Sequence, residues 1–380
     1  MHAADSSQRF GIVLNNRVVR TPVAIASMAG WVDAPYVLAR RDHVGAAFIG
    51  GYSIDEPTMK AAREMTAQGR KEFLYDDPVE ELSAQVTRLE ESGVVTGLNL
   101  RGSAPESYEA IAEIFGERVI YEIDAHCRQE PMIRAGCGEF FLHHPDRLMD
   151  TIKALKSTGA TVSVKIRAGV HHDDRILAKE LWRSGADIIH ADLMDFGYQK
   201  LRQIRNSSPL FLIANNSITS FERMKEMFSH GADMVSLARR SDERTLAGLD
   251  AAITRYSDEH GWYNAPKQLC RGGDIRALSF CCMPVKNCPL LPTLERIGMT
   301  RDEYIALKME SVKGTPLEEG KQTCFGSLSW CCKDSSPCMF RDLTIRQVGL
   351  TNPDYMRLKC ELAAKLMKKI FNDRNHDNPG

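Results

Sequence analysis

No stretch of the 380-residue chain approaches the roughly 18 consecutive apolar residues that span a bilayer, which excludes a helical membrane protein. The opening MHAADSSQRF also lacks the basic-then-apolar layout of a signal peptide, so a cytoplasmic location is expected. Neither sign of charge is in excess. The 49 Lys+Arg stand against 50 Asp+Glu, a formal −1. That excludes a strongly basic nucleic-acid binder but leaves room for a local basic face. With 43% hydrophobic and 26% charged residues, the composition excludes disorder and fibrous repeats. The length is too great for one small domain and suits two, although an α/β barrel of about 250 residues counts as one.

Cysteine is scarce over most of the chain. Only Cys127 and Cys137 of the 11 lie in the first 260 residues, and the rest crowd into the remainder. Incidental core thiols would be spread evenly, so the asymmetry indicates two domains of different chemistry, residues 1–260 and 261–380. A secreted disulfide domain would need an export signal. Metal or an iron–sulfur cluster in a reducing cytosol is the expectation for the tail.

Short β-branched runs alternate with helical patterns through the first domain. Strand candidates begin near Pro22, Ala46, Val94, Val119, Thr161, Ile188, Leu210 and Met234. Helix signals fill the gaps, among them Ser53 to Gly69, Asp77 to Ser92, Pro145 to Ser157 and Ser220 to His230. Recurring Gly-Ala before a strand suits helix C-caps. Eight βα units in order predict an α/β fold, a closed (β/α)8 TIM barrel. The opening FGIVLNNRVVR reads as a hairpin turning at Asn15-Asn16, placed on the barrel floor.

On that fold the loops after each strand carry function. The strands end in Asn99 and Arg101, Asp124 with Cys127, Lys165 with Arg167, His190, Asn215 with Asn216, and Arg239 with Arg240. Barrel interiors are normally filled by Val, Ile and Leu, so polar groups at corresponding positions of several strands point to a site. Lys165, flanked by strand residues, must face the barrel mouth or be paired there with Asp124 or Asp192. Asn215-Asn216 and Arg239 follow strands seven and eight, where many barrels bind phosphate, and Asn tolerates φ > 0 in a turn of N–H donors.

These motifs resemble the dihydrouridine synthase family, FMN-dependent barrels that reduce uridine in tRNA. ASMAGWVDAPYV is similar to the family's opening APM-AG-TD-PFR, with Ser27 where Pro is usual. LNLRGSAPE is similar to its Q-L-G-S-P element, with Asn99 for Gln. HCRQEPMIRAGCGEFFLHHPDRL places Cys127 on the catalytic cysteine and Gly138 on the glycine that follows it. VKIRAG, IIHAD, IANNSI and GADMVSLAR match later elements in order, so the resemblance covers roughly residues 20 to 245. It implies FMN held by Ser27, Met28, Asn99, Lys165, His190, Asn215, Asn216, Ala238 and Arg239. It also implies hydride from reduced flavin to C6 of the pyrimidine, with Cys127 delivering a proton to C5.

Several positions depart from the family pattern. Its N-x-G-C-P becomes Asp124-Ala125-His126-Cys127-Arg128, its Glu-Met after strand two becomes Gly50-Gly51, and its Gly-Asp in the seventh loop becomes Asn216-Ser217. The cofactor side survives and the substrate side is rewritten. Cys127 taken alone is either a proton donor, since a thiol near cations can be tuned toward neutral pH, or a buried core thiol. His171-His172-Asp173-Asp174 reads as a metal site or as a polar loop whose Asp caps a helix. Tyr198 reads as a proton donor, a stacking partner or a packed loop aromatic.

The tail is predicted to be small and mainly helical, with helices near Leu291–Ile297 and Arg301–Lys313. A C-C-x5-C unit occurs twice, each copy preceded by a lone cysteine. Two ligand sets follow: Cys270, Cys281, Cys282, Cys288; and Cys324, Cys331, Cys332, Cys338. Cys360 sits in a helical pattern. Thiolates in fours suit a [4Fe–4S] cluster or zinc, and the absence of C-x2–4-C knuckles leans toward the cluster. The tail resembles a cysteine-rich methanogenesis marker domain, the ninth of that set, which implies an anaerobic archaeal cytosol. Residues 261–380 carry 18 Lys+Arg against 13 Asp+Glu, leaving 31 against 37 for the barrel, and this positive tail reads either as an ordinary solvated surface or as a face that docks on tRNA phosphates. An external donor of NAD(P)H, F420 or ferredoxin type is also implied. Two other readings stand beside the tRNA enzyme. One is a flavin and iron–sulfur oxidoreductase of a small metabolite, similar to dihydroorotate dehydrogenases; the other is a non-catalytic, zinc-stabilised binding module.

Overall fold

A computed structural model describes residues 9, 10, 12–194, 197–260, 277–281, 284, 288, 290–331 and 338–372. The chain divides into two compact units, 21–254 and the pair of segments 1–20 and 255–380. The division falls inside the helix Glu243–His260, earlier than the 260/261 boundary read from the cysteines. It also assigns the N-terminal residues differently. The hairpin of β1 (Val13–Leu14) and β2 (Arg17–Val18) turns at Asn15 and Asn16, both at positive φ as expected. It groups with the C-terminal unit, where Val13 packs against a core of Val312, Leu317, Leu328, Ile345, Tyr355 and Leu362.

In the first unit, eight parallel strands close into a barrel in chain order. They are β3 (Val23–Ile25), β4 (Ala46–Ser53), β5 (Val95–Arg101), β6 (Ile120–Ala125), β7 (Thr161–Arg167), β8 (Ile188–Asp192), β9 (Phe211–Asn215) and β10 (Met234–Leu237). Every expected strand is present, and β10 closes on β3 with Ser236 opposite Ala24. Helices fill the gaps with caps that the sequence supplies. Asp55, Asp77 and Ser220 each accept from a backbone N–H of the first turn, which satisfies donors that a helix start leaves orphaned. Asp173 does the same for the helix Asp174–Arg183, so the His171–Asp174 segment is a capping loop.

Beyond the hairpin, the described residues of the second unit are mainly helical. Leu290–Arg296 and Arg301–Val312 match the two expected helices, and Thr300 with Glu303 forms a reciprocal capping box. Met339–Gln347 and Asn352–Asn372 follow, the latter containing Cys360. Among the described residues no helix is long and apolar enough to cross a membrane.

Candidate functional site

Parallel register decides which side chains meet at the C-terminal ends of the barrel strands. Asn99 on β5 sits opposite Glu122 on β6, and Asp124 opposite Lys165 on β7. Lys165 in turn faces His190 on β8, and Asp192 faces Asn215 on β9. Residues two apart on a strand share a face, so Asn99 and Arg101, Glu122 and Asp124, and Lys165 and Arg167 supply the barrel's polar interior in pairs. Of these, all but Glu122 line a cleft of about 1060 Å³ together with Ser27, Met28, Cys127, Asn215, Asn216, Ala238 and Arg239. Eight of the nine expected cofactor-binding residues are therefore assembled.

His190 is the ninth, and it is not among the lining residues. It is fully buried, with Nδ1 2.7 Å from Glu122 Oε2 and Nε2 2.7 Å from Ser236 Oγ. Burial pushes the Glu122 carboxyl up, but His190, Lys165 and Asn99 outweigh it and hold it below its usual range. Burial also holds His190 below its usual range despite the carboxylate. A neutral imidazole then donates from Nδ1 to Glu122 and accepts at Nε2 from Ser236, whose Oγ accepts from Asn215 Nδ2 at 2.8 Å. Asn99 Nδ2 also donates to Glu122, at 2.9 Å. One buried carboxylate thus orients Asn99 directly and Asn215 through His190 and Ser236. Glu122 and Ser236 were not among the residues picked out from the sequence. The signal was there in YEIDA: an acid two residues before Asp124, on the same strand face.

Lys165 is buried and donates to Ser27 Oγ at 2.7 Å and Ser27 O at 3.2 Å. Neither carboxylate proposed as its partner pairs with it. Asp124 is taken by Arg101, whose Nε donates to it at 2.8 Å, and Asp192 Oδ2 lies 2.6 Å from His126 Nε2. Arg101 also pairs with Glu72 at 2.7 Å. Gly51 makes room for this arginine. A Cβ there would lie 2.6 Å from Arg101 Nε, so the departure at Gly50-Gly51 is the counterpart of Arg101.

Cys127 lies at the cleft wall in a turn locked from two sides. Asp124 Oδ1 accepts from the N–H groups of His126 and Cys127, each at 3.0 Å. On the other side the Cys127 carbonyl accepts from Glu139 N–H at 2.8 Å. Gly138 has φ 70, and a Cβ there would stand 2.2 Å from that carbonyl oxygen. Gly138→Ala is therefore expected to cost about 2 kcal/mol or more, from left-handed strain and overpacking. Thermal unfolding should fall by about 5 °C or more; an unchanged Tm would contradict the contact. Burial pushes the Cys127 thiol up, with Arg101 pulling against it. The thiol therefore carries its proton at neutral pH, as a proton donor must. Cys137 is fully buried, and burial raises its thiol well above the ordinary range.

In the seventh loop Asn216 and Ser217 both have positive φ, at 106° and 54°, as expected of a turn that presents backbone N–H groups. Around the mouth the lining carries Arg70, Lys71, Arg128, Arg167, Arg239 and Arg240 against Asp124 and Asp192. Both acids are engaged, as are Arg167 with Glu139 and Arg70 with Glu72, and Lys71, Arg128, Arg239 and Arg240 leave the mouth basic. Tyr198 is absent from the lining and stacks on His230, ring centroids 4.0 Å apart, while its neighbours Asp195 and Phe196 lie outside the described residues.

Of the eight expected metal ligands, Cys281, Cys288, Cys324, Cys331 and Cys338 are described. Cys270, Cys282 and Cys332 lie outside the described residues. Among the described residues no group of three or more His, Cys, Asp or Glu is placed to hold a metal ion.

A family model described as dihydrouridine synthase matches residues 70–245. Uncharacterized protein MJ0115 of Methanocaldococcus jannaschii is 45% identical over 108 residues, 28% of this chain and 70% of its own length. Uncharacterized protein MJ0144 of the same organism is 30% identical over 234 residues, 57% of this chain and 88% of its own length. Among solved structures, DHODH from Eimeria tenella in complex with ferulenol gives a TM-score of 0.49 at 12% identity, over 65% of this chain and 84% of that one.

Proposed function

This chain belongs to the dihydrouridine synthase family, a family of flavin-dependent oxidoreductases, and we propose on that footing that it binds FMN and reduces the C5=C6 bond of uridine in tRNA. The observation that carries the cofactor is Lys165, a buried ammonium with no ion-pair partner among the described residues. A charge in that position calls for a partner from outside the protein. Asn99 and Asn215 would hold polar edges of the flavin, their amides fixed by the Glu122 network. The N–H groups of the Asn216–Ser217 turn and the exposed Arg239 suit its phosphate.

Reduced FMN would supply a hydride to C6 of the pyrimidine. Cys127 would give its proton to C5, and Asp124 would hold the turn that presents the thiol. The basic mouth supports a polyanionic substrate, since Lys and Arg around a cleft capture phosphates. The tail's cysteines would hold a thiolate-ligated metal, [4Fe–4S] in preference to zinc, that relays electrons from an external donor.

His126 and Arg128 line the cleft and are the rewritten neighbours of Cys127. They favour a small anionic metabolite as the second reading. The test is anaerobic re-oxidation of the reduced, FMN-loaded protein by unmodified tRNA, with dihydrouridine read by mass spectrometry. Dihydrouridine above the no-enzyme background is expected. Re-oxidation by orotate-like acids with no change in tRNA would replace uridine by the metabolite, and a protein that takes up no flavin would remove both readings.

A further inference from the structure

The C-terminal unit repeats itself beyond its cysteines. Residues 297–308 read IGMTRDEYIALK and residues 348–359 read VGLTNPDYMRLK. The backbone repeats with the letters. Gly298 and Gly349 both follow a helix at positive φ, 64° and 74°. Behind them Met299 N–H donates to Leu294 O and Leu350 N–H to Ile345 O. Thr300 exchanges hydrogen bonds with Glu303 at the start of the next helix, and Thr351 does the same with Asp354. Upstream, Cys288 and Cys338 each stand just before a helix, Leu290–Arg296 and Met339–Gln347, and each carbonyl accepts from its first turn.

Each copy then sends a lysine to the same place. Lys308 and Lys359 are both 2% exposed. Their Nζ atoms donate to the carbonyl oxygens of Cys281 and Cys331, the first cysteine of each adjacent pair. The tyrosine one turn earlier accompanies the lysine in both copies. Tyr304 Oη donates to Cys281 O at 3.1 Å, and Lys359 Nζ donates to Tyr355 Oη at 3.3 Å. Both copies thus bury an ammonium against the carbonyl of a cysteine. Thiolates gathered on a metal carry net negative charge, and a fixed cation behind them offsets that charge in a buried setting.

We propose that this unit holds two equivalent thiolate-ligated metal centres, one in each copy, with Lys308 and Lys359 as positioning residues. Each lysine fixes the first cysteine of its pair and compensates the charge of the thiolates. The described donors are Cys281 and Cys288 in one copy and Cys331 and Cys338 in the other. The proposal rests on the metal reading of the tail and is independent of the flavin.

The test is iron, acid-labile sulfide and zinc analysis of the full chain isolated anaerobically. Two equal centres per chain are expected. Cys288→Ser should keep half of the wild-type metal, Cys338→Ser the other half, and the double variant none, all with unchanged flavin content. In the Cys338→Ser background, Lys308→Met should shift the thiolate-to-metal charge-transfer absorption of the remaining centre, after exchange for cobalt if the metal is zinc. Lys308→Arg should restore it, and Lys359→Met should leave it unmoved. A chain without metal overturns the metal reading itself. One centre per chain, or loss of all metal from either single cysteine variant, leaves that reading standing and overturns the two-centre proposal. Absorption unmoved by Lys308→Met overturns the role of the lysine.

Discussion

Lys165→Met protein is expected to emerge from purification with most of its flavin lost. The substitution keeps the side chain's length and removes a buried charge that makes no direct ion pair among the described residues. A hydrogen bond to a charged group contributes about 1.5–3 kcal/mol, which converts to roughly a 10- to 100-fold weaker affinity. The fold should survive. Methionine suits an apolar wall, and the ammonium's hydrogen-bond partners among the described residues are the hydroxyl and carbonyl of Ser27. Titration of the apoprotein with FMN, followed by fluorescence quenching, reads the affinity directly. A variant that binds FMN as tightly as the wild type would show that Lys165 is a structural lysine and that the cleft holds something else.

Cys127→Ala should separate binding from turnover in the opposite way. Flavin content is expected to match the wild type while product formation falls by about 10²- to 10⁴-fold, the usual contribution of a positioned general acid. The pH profile sharpens the assignment. Burial raises the Cys127 thiol above its ordinary range, so the donor form is complete at neutral pH. It is lost only as pH rises through that raised value. The wild-type rate should therefore hold level through neutrality and descend on the alkaline side, and the residual rate of the alanine variant should lack that limb. A variant retaining full activity would return Cys127 to the core thiols.

Much of this architecture was legible in the sequence for a physical reason. A barrel strand announces itself by a short apolar run, and its site by the polar residue that breaks the run, so Asn99, Lys165 and Asn215 stood out. His190 broke a run too, but a polar residue inside a strand can be satisfied behind the wall as well as at it. Register across β6, β8 and β10 decides between the two, and a single sequence does not contain register. Glu122 stayed hidden because its neighbour Asp124 already accounted for an acid at the strand's end. Lys165 could be placed at the mouth, while its lack of a carboxylate partner depended on Arg101 and His126 having claimed both. In the tail, attention to cysteine hid the second half of the repeat. The Tyr-x3-Lys of each copy is spelled out in the sequence, but only the hydrogen bonds to Cys281 and Cys331 give it a purpose.

The placement of charge around the cleft has a further consequence. Residues 1–260 carry more acids than bases, 37 against 31, yet the mouth is ringed by arginine and lysine. Such a body has an electric polarity. On the tRNA reading proposed above, a polyanion would be drawn in along one approach, so encounter and orientation would become a single event. The same field is screened over about 8 Å at physiological ionic strength. It acts as a guide for the last approach to the cleft, leaving the fit within to the residues on its wall.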